Sequence, residues 1–176
     1  MKLLLHICCA PCLITPLEVL TGKDIEVSGY FYNNNIHPYT EFRKRLDALE
    51  EYAGQMSLDV IYDKNYDIKD YFMSVSEFDE SRCEKCYLMR LGATARLASE
   101  KGFDAFSTTL LYSKYQKHEI IKETCENLAT SYGIDFYYED LRTGWGRGIK
   151  KSKKLLMYRQ TYCGCIFSER DRYFNK

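Results

Sequence analysis

The sequence predicts an α/β fold in which helices cover both faces of a parallel sheet and a small basic segment follows at the C-terminus. Three observations support this prediction. A chain of 176 residues corresponds to about one domain. Its 45% hydrophobic and 28% charged residues are typical of a globular protein. Strand-like and helix-like apolar patterns alternate along the chain, which is typical of parallel sheets.

The first half of the chain alternates between predicted strands and predicted helices. Short apolar or alternating runs at residues 2–7, 24–32 and 58–62 predict three strands. A helix is predicted from Pro11 to the vicinity of Gly22, and a second helix over residues 39–53. The turn between the first strand and the first helix contains three cysteines, and ligands bind at such strand ends in open α/β sheets.

The second half continues the alternation and ends in a basic segment. Helices are predicted over residues 67–75, 83–99 and 117–132, and strands over residues 103–108 and 134–138. The helix over residues 83–99 should bury an apolar face made by Leu88, Leu91, Ala95 and Ala98. We expect residues 1–140 to form the α/β domain with the metal site, and residues 141–176 to form a basic appendage packed on it.

The N-terminus does not predict export. His6, Pro11 and Cys12 interrupt the apolar start of the chain before a signal-peptide core can form. No apolar stretch reaches the roughly 18 residues of a membrane span. We therefore expect a soluble, cytoplasmic protein without membrane contact. Because that compartment is reducing, its eight cysteines indicate metal ligation or redox chemistry rather than structural disulfides.

Seven of the eight cysteines fall into three groups. Cys8, Cys9 and Cys12 follow the first predicted strand, Cys83 and Cys86 form a C-x-x-C at the start of a predicted helix, and Cys163 and Cys165 form a C-G-C. Sulfurs at C-x-x-C spacing can converge on one metal or cluster. The eighth, Cys125, lies among apolar residues of a predicted helix and is interpreted as a small buried hydrophobic residue.

Two chemistries fit these cysteines. The adjacent pair Cys8–Cys9 and its position at a ligand crevice favour an iron-sulfur cluster, whereas a structural zinc site could use the same spacings. The C-G-C pair favours a redox role, because a disulfide across one residue should be strained and therefore labile. Two further metal ligands are the alternative for that pair.

Basic residues are concentrated after residue 140, although the net charge is zero. No acidic residue occurs between Leu141 and Ser168, so this segment predicts a surface that binds nucleic-acid phosphates. Trp145, Tyr158 and Tyr162 could stack on unpaired bases there. A solvated helix face is the alternative. The positive residues are Arg142, Arg147, Lys150, Lys151, Lys153, Lys154 and Arg159.

Other polar residues lie at predicted strand ends. His6 is interpreted either as a core histidine or as a neighbour of the metal site, and His37 occupies a loop that should face the crevice. Tyr112, Tyr115 and Gln116 follow the fourth strand, where they could contact a substrate.

Five motifs in this order resemble the QueH-type epoxyqueuosine reductase family over nearly the whole chain. They are Leu-Leu-His-Ile-Cys-Cys-Ala-Pro-Cys at 4–12, Tyr-Asn-Asn-Asn-Ile-His-Pro at 32–38, Cys83-Glu-Lys-Cys86 with its Arg90-Leu91 helix, Phe-Ser-Thr-Thr-Leu-Leu at 106–111, and Tyr-Arg-Gln-Thr-Tyr-Cys-Gly-Cys at 158–165. One departure is Asn34, where the family often has proline; proline would mainly fix the backbone φ angle there.

The resemblance implies reduction of epoxyqueuosine to queuosine in the anticodon loop of tRNA. It also implies a Rossmann-like sheet similar to the adenine nucleotide α-hydrolase type, and a 4Fe-4S cluster supplied with electrons by an external donor. The family's cluster ligands correspond to Cys8, Cys9, Cys83 and Cys86, and its redox-active pair to Cys163 and Cys165. Cys12 could hold one additional iron as the second redox element that a two-electron reduction requires.

Two rival functions follow from the same residues. A zinc-stabilised RNA-binding module would use the cysteines without redox chemistry. A relative of the ATP-dependent tRNA sulfurtransferases would share the sheet, but cysteines stand where those enzymes carry a glycine-rich Ser-Gly-Gly loop after the first strand. Without that loop, backbone N–H groups are not brought close to phosphates, so ATP binding is disfavoured.

Overall fold

A computed structural model describes residues 1–75 and 81–174 and confirms the predicted α/β class. Its centre is a five-stranded parallel sheet with the order β3-β2-β1-β4-β5. The strands are β1 (Lys2–His6), β2 (Glu26–Phe31), β3 (Val60–Tyr62), β4 (Ala105–Thr108) and β5 (Asp135–Phe136). Because all the strands are parallel, their carboxyl ends meet at one edge of the sheet.

Seven helices connect and cover these strands in the described part of the chain. They are α1 (Ala10–Thr21), α2 (Tyr39–Gln55), α3 (Ile68–Ser74), α4 (Arg82–Glu100), α5 (His118–Tyr132), α6 (Trp145–Lys154) and α7 (Ile166–Tyr173). Two 3₁₀ helices, Thr109–Tyr112 and Leu141–Gly144, lie after β4 and before α6. None of the helices in residues 1–75 and 81–174 is long and apolar enough to cross a membrane.

Alternating residues of β1 bury the two faces of the sheet. Leu4 joins a core cluster with α4 and α5, whereas Leu3 and Leu5 join a cluster with α1 and α2. This division follows from the pleat of a strand, which directs successive side chains to opposite faces. Both clusters are fully buried at β1, so the end of this central strand is rigidly held.

Two details differ from the sequence predictions. Leu88 was assigned to the buried face of α4, but its side chain is 55% exposed; Leu91, Ala95 and Ala98 are buried as predicted. The apolar stripe of α4 therefore excludes Leu88. Helix α7 was not predicted, because its sequence is largely polar and none of its residues is buried.

Glycines allow α6 to lie close to α1. A Cβ atom at Gly148 would lie 2.1 Å from the Tyr112 hydroxyl oxygen and 2.8 Å from Thr15 Oγ1. A Cβ atom at Gly144 would lie 2.3 Å from Thr15 Cγ2. The basic segment therefore packs directly on the sheet domain, and Gly144 and Gly148 permit this close approach.

Candidate metal centre

Three cysteines converge at the carboxyl end of β1. The Sγ atoms of Cys8, Cys9 and Cys12 lie within 4.8 Å of one another, and all three residues are buried. Cys12 joins the pair because α1 begins at Ala10, and residues three or four positions apart share one side of a helix. Thr109, after β4, donates its hydroxyl to Cys8 Sγ at 3.4 Å and accepts the Cys8 N–H at 3.2 Å.

The protonation of this triad favours one thiolate. Hydrogen bonds with Cys12 and Cys9 lower the pKa of Cys8 well below its ordinary value. Burial raises the pKa of Cys9, and the hydrogen bonds to Cys8 and Cys9 raise that of Cys12. Three buried thiolates repel one another, so a bound cation would be required to deprotonate the whole group. Thiolates are soft ligands that suit zinc or an iron-sulfur cluster.

A second cysteine group lies on α4 and the C-terminal segment. Cys83 and Cys86 are on the first turns of α4, and burial raises the pKa of both thiols, that of Cys86 to about 12. Cys163 and Cys165 add to this increase electrostatically, so the C-x-x-C and C-G-C pairs are neighbours. Cys83 and Cys86 are not part of the three-sulfur group at β1, although Cys83 packs against the same core cluster.

Arg90 connects the two cysteine groups. Its side chain is almost fully buried on α4, and its Nε–H donates to the Cys86 carbonyl at 3.3 Å. Burial alone lowers the pKa of Arg90, but Cys86, Cys163 and Cys8 outweigh this effect and raise it. Its Nη2 atom is buried without a hydrogen-bond partner. A buried cation with an unused donor fits an anionic group between the cysteines, such as a thiolate-ligated cluster.

Two glutamine side chains donate to cysteine sulfurs. Gln160 Nε2 lies 2.9 Å from Cys9 Sγ and 3.7 Å from Cys12 Sγ. Gln116 Nε2 lies 3.4 Å from Cys163 Sγ, and its Oε1 accepts the Tyr87 hydroxyl at 2.8 Å. Gln116, which the sequence placed where it could contact a substrate, hydrogen-bonds to the C-G-C sulfur. Sequence reasoning assigned no role to Gln160, although it lies in the motif that precedes the C-G-C.

The C-G-C loop is clamped to α2. Gly164 has a φ angle of 146°, which side chains rarely permit, and its carbonyl accepts the His37 N–H at 2.8 Å. Arg45 donates to the Cys163 carbonyl at 2.7 Å and to the Tyr162 carbonyl at 3.1 Å. The third Arg45 contact is a buried ion pair with Glu41 at 2.7 Å. Both cysteines of the loop are free thiols in this structure.

Both candidate histidines are buried and neutral. Burial lowers the pKa of His6 to about 3, and its Nδ1 lies 2.9 Å from the Thr108 hydroxyl. Burial lowers the pKa of His37 to about 4, and its ring stacks on Phe72 at 5.1 Å. The position of His6 is compatible with both interpretations, because its ring is buried and hydrogen-bonded to Thr108 and also interacts electrostatically with Cys8.

The basic segment is partly neutralised by acidic residues elsewhere in the chain. Arg142 pairs with Asp140 at 2.6 Å, and both Arg147 and Lys151 pair with Glu18. Within the described residues, no such pair involves four other exposed cations of the segment. They are Lys150, Lys153, Lys154 and Arg159.

Comparisons with known proteins agree on one family. The family model described as "Epoxyqueuosine reductase QueH" matches residues 3–171. The Dehalococcoides mccartyi protein of that name is 40% identical over 98% of this chain and 94% of its own length. The Thermotoga maritima protein of the same name is 35% identical over 96% of this chain and 91% of its own.

The fold also resembles that of a solved structure. That structure is described as a predicted subunit of tRNA methyltransferase from Methanocaldococcus jannaschii. The superposition covers 87% of this chain and 74% of the other chain, with a TM-score of 0.62. At 9% identity this likeness concerns the fold alone. Together with the family match over nearly the whole sequence, the cysteine-lined strand ends identify the chain as a member of the epoxyqueuosine reductase QueH family, a family of oxidoreductases.

Proposed function

We propose that this protein reduces epoxyqueuosine to queuosine in tRNA with an iron-sulfur cluster held by Cys8, Cys9, Cys83 and Cys86. The observation that carries the proposal is the buried Arg90, whose Nη2 atom has no hydrogen-bond partner and whose charge interacts with both Cys8 and Cys86. A buried cation between the cysteines that follow β1 and those of α4 supports an anionic, thiolate-ligated cofactor. The proposed cluster would supply electrons.

The chain's own residues would hold and tune this centre. Arg90 would compensate the thiolate charge, and the Gln160 amide would donate to Cys9 Sγ, as it does at 2.9 Å. Hydrogen-bond donors and nearby positive charge stabilise the reduced state of a cluster, because reduction adds negative charge to it. The core packing of β1 keeps the triad in place while the substrate is exchanged.

Removal of the epoxide oxygen requires two electrons and two protons, because the oxygen leaves as water and an alkene forms. Oxidation of the Cys163–Cys165 dithiol to a disulfide releases two electrons and two protons, so this pair is proposed as the second redox element. An external electron donor would then reduce the disulfide. An additional iron held by Cys12 is the alternative, and the position of Cys12 beside Cys8 and Cys9 supports it as a ligand.

The proposed substrate is tRNA that carries epoxyqueuosine in its anticodon loop, and the proposed place of action is the cytoplasm. The exposed cations of α6 would bind its phosphates. In this proposal residues 1–140 form the metal-binding α/β domain, and residues 141–176 form a basic appendage that adds the C-G-C pair. The packing of Gly148 against Tyr112 supports that organisation.

The test is a reaction with defined tRNA. Anaerobically purified protein, a chemical electron donor and epoxyqueuosine tRNA should yield queuosine, detected by nucleoside mass as the loss of one oxygen atom. Serine at any one of the four proposed ligands should sharply reduce iron content and conversion, because a hydroxyl is a poor substitute for a thiolate.

Cys125→Ser is the matched control, since Cys125 is buried in α5 among apolar residues and should affect neither quantity. Full iron retention in the Cys83→Ser, Cys86→Ser double variant would contradict the ligand assignment.

A further inference from the structure

An aromatic pair, the exposed Tyr115 and the partly buried Trp145, lies near the cysteine centre and has no role in the proposed chemistry. Tyr115 is 84% exposed, although large aromatic side chains are usually buried. Its ring meets Trp145 edge to face, with 5.5 Å between centroids and 82° between planes. The two residues are 30 positions apart in sequence and come from different elements, so the fold brings them together.

Trp145 is held rigidly from behind. Its ring lies 5.0 Å from that of the buried Tyr112, and its carbonyl accepts the Tyr112 hydroxyl at 3.1 Å. The close approach of Gly148 to the same hydroxyl fixes the start of α6. Tyr115 therefore rests on an ordered support while most of its surface remains in water.

The pair borders the cysteine site. Tyr112 belongs to the same buried core cluster as Cys9 and Cys12, so the support of the pair reaches the triad. On the other side, Gln116, the residue after Tyr115, donates to Cys163 Sγ. Tyr115 is therefore flanked by Tyr112, which shares a core cluster with the triad, and by Gln116, which contacts the C-G-C sulfur.

The charge around the pair is positive. Lys114 and Lys117 flank Tyr115 in the same turn and are exposed, and Arg159 acts electrostatically on Tyr112. None of these three cations has an ion-pair partner in residues 1–75 and 81–174. An exposed aromatic face surrounded by free cations is complementary to an unpaired base with its phosphates.

From this geometry we infer that Tyr115, supported by Trp145, stacks on an unpaired base of the substrate RNA loop and places it beside the cysteine centre. The inference rests on the proposed RNA substrate, and it names the residue that would recognise a base, whereas the lysines of α6 contact phosphates. Stacking requires an aromatic ring and not a hydroxyl, so Tyr115→Phe should preserve it.

The experiment uses the single tryptophan of the chain as its reporter. An unmodified anticodon stem-loop RNA is titrated into anaerobically purified protein, and Trp145 fluorescence and the Kd are recorded at fixed salt. The loop RNA should change the fluorescence, and Tyr115→Leu should weaken its binding about 5- to 150-fold. Tyr115→Phe should stay within about twofold of the unchanged protein, because its ring can still stack.

Two controls isolate the effect. Tyr132→Leu changes a partly exposed tyrosine at the end of α5 and should leave the Kd unchanged. A blunt RNA duplex with the same number of phosphates should bind the unchanged protein and Tyr115→Leu equally. Because Tyr115 is exposed, its substitution leaves the core packing intact, which a melting curve would verify.

Equal loop affinity for Tyr115→Leu and the unchanged protein would overturn the inference. The inference would also be overturned if Tyr115→Leu lost as much affinity for the duplex as for the loop RNA, because the residue would then contact the RNA backbone. The RNA lacks epoxyqueuosine, so these outcomes are independent of reductase activity. If the loop RNA binds through Tyr115 but the protein does not reduce epoxyqueuosine in tRNA, the proposed function is refuted and the inference about Tyr115 stands.

Discussion

Arg45 carries the clamp between α2 and the C-G-C loop, and its removal should be among the most damaging single changes outside the cysteines. Arg45→Met removes the ion pair to Glu41 and both hydrogen bonds to the carbonyls of Tyr162 and Cys163. Methionine can fill much of the vacated space, so the loss concerns polar contacts more than packing.

The magnitude follows from burial. The Arg45 and Glu41 side chains are 1% and 8% exposed, and removal of one partner of a buried ion pair costs about 3–5 kcal/mol. Such a loss lowers the Tm of a chain of this length by about 6–20 °C. The same helix offers a control, because Arg43 and Asp47 also form an i,i+4 pair, in the opposite order of acid and base and with 41% and 56% exposed side chains. Arg43→Met should cost at most about 0.5 kcal/mol.

The assay is thermal unfolding followed by circular dichroism, combined with limited proteolysis near residue 163. Arg45→Met should melt earlier and be cleaved faster in the C-G-C loop, whereas Arg43→Met should behave like the unchanged protein. Equal Tm values for the two variants would refute the reasoning that burial makes the Arg45 pair essential.

Three further predictions concern charge, redox chemistry and pH. Substituting Lys150, Lys153 and Lys154 by glutamine should reduce the salt slope of tRNA binding by roughly one unit per lost contact, with iron content preserved; an unchanged slope would mean that these lysines only solvate α6. Cys163→Ser and Cys165→Ser should each retain iron and tRNA binding but fail in multiple turnover; loss of iron in both variants would favour metal ligation instead. Burial lowers the pKa of His37 to about 4. Between pH ~6.5 and ~4 the folded state therefore binds fewer protons than the unfolded state. The free energy of unfolding should fall by up to about 3 kcal/mol as the pH decreases through this window. Urea unfolding of His37→Phe should lack this component, and parallel pH profiles for the two proteins would contradict it.

Local patterns in the sequence were sufficient for the fold and for the position of the site. The strand-helix alternation predicted the parallel sheet, and the cysteines after β1 fell at the carboxyl edge, as open sheets require. Cys125 is fully buried, as its apolar neighbours predicted. These features depend on residues close in sequence, which periodicity reports directly.

Contacts between distant residues could not be predicted in this way. Arg45 reaches the Cys163 carbonyl across 118 positions, and Gln160 reaches Cys9 across 151. Arg90 lay inside a quoted motif, but only its burial and its missing hydrogen-bond partner indicate a link between the cysteine groups. The basic segment likewise read as uniformly positive, because Glu18, which pairs with Arg147 and Lys151, lies on α1. Tertiary packing decides each of these roles.

The central claim is that the cysteine crevice holds an iron-sulfur cluster. The most direct test is the content of iron, acid-labile sulfide and zinc per chain in the anaerobically purified protein. The account predicts about four iron atoms and about four sulfides per chain, with one further iron if Cys12 holds a second site. A colourless protein with about one zinc per chain and no labile sulfide would contradict it and would favour the zinc-stabilised RNA-binding module.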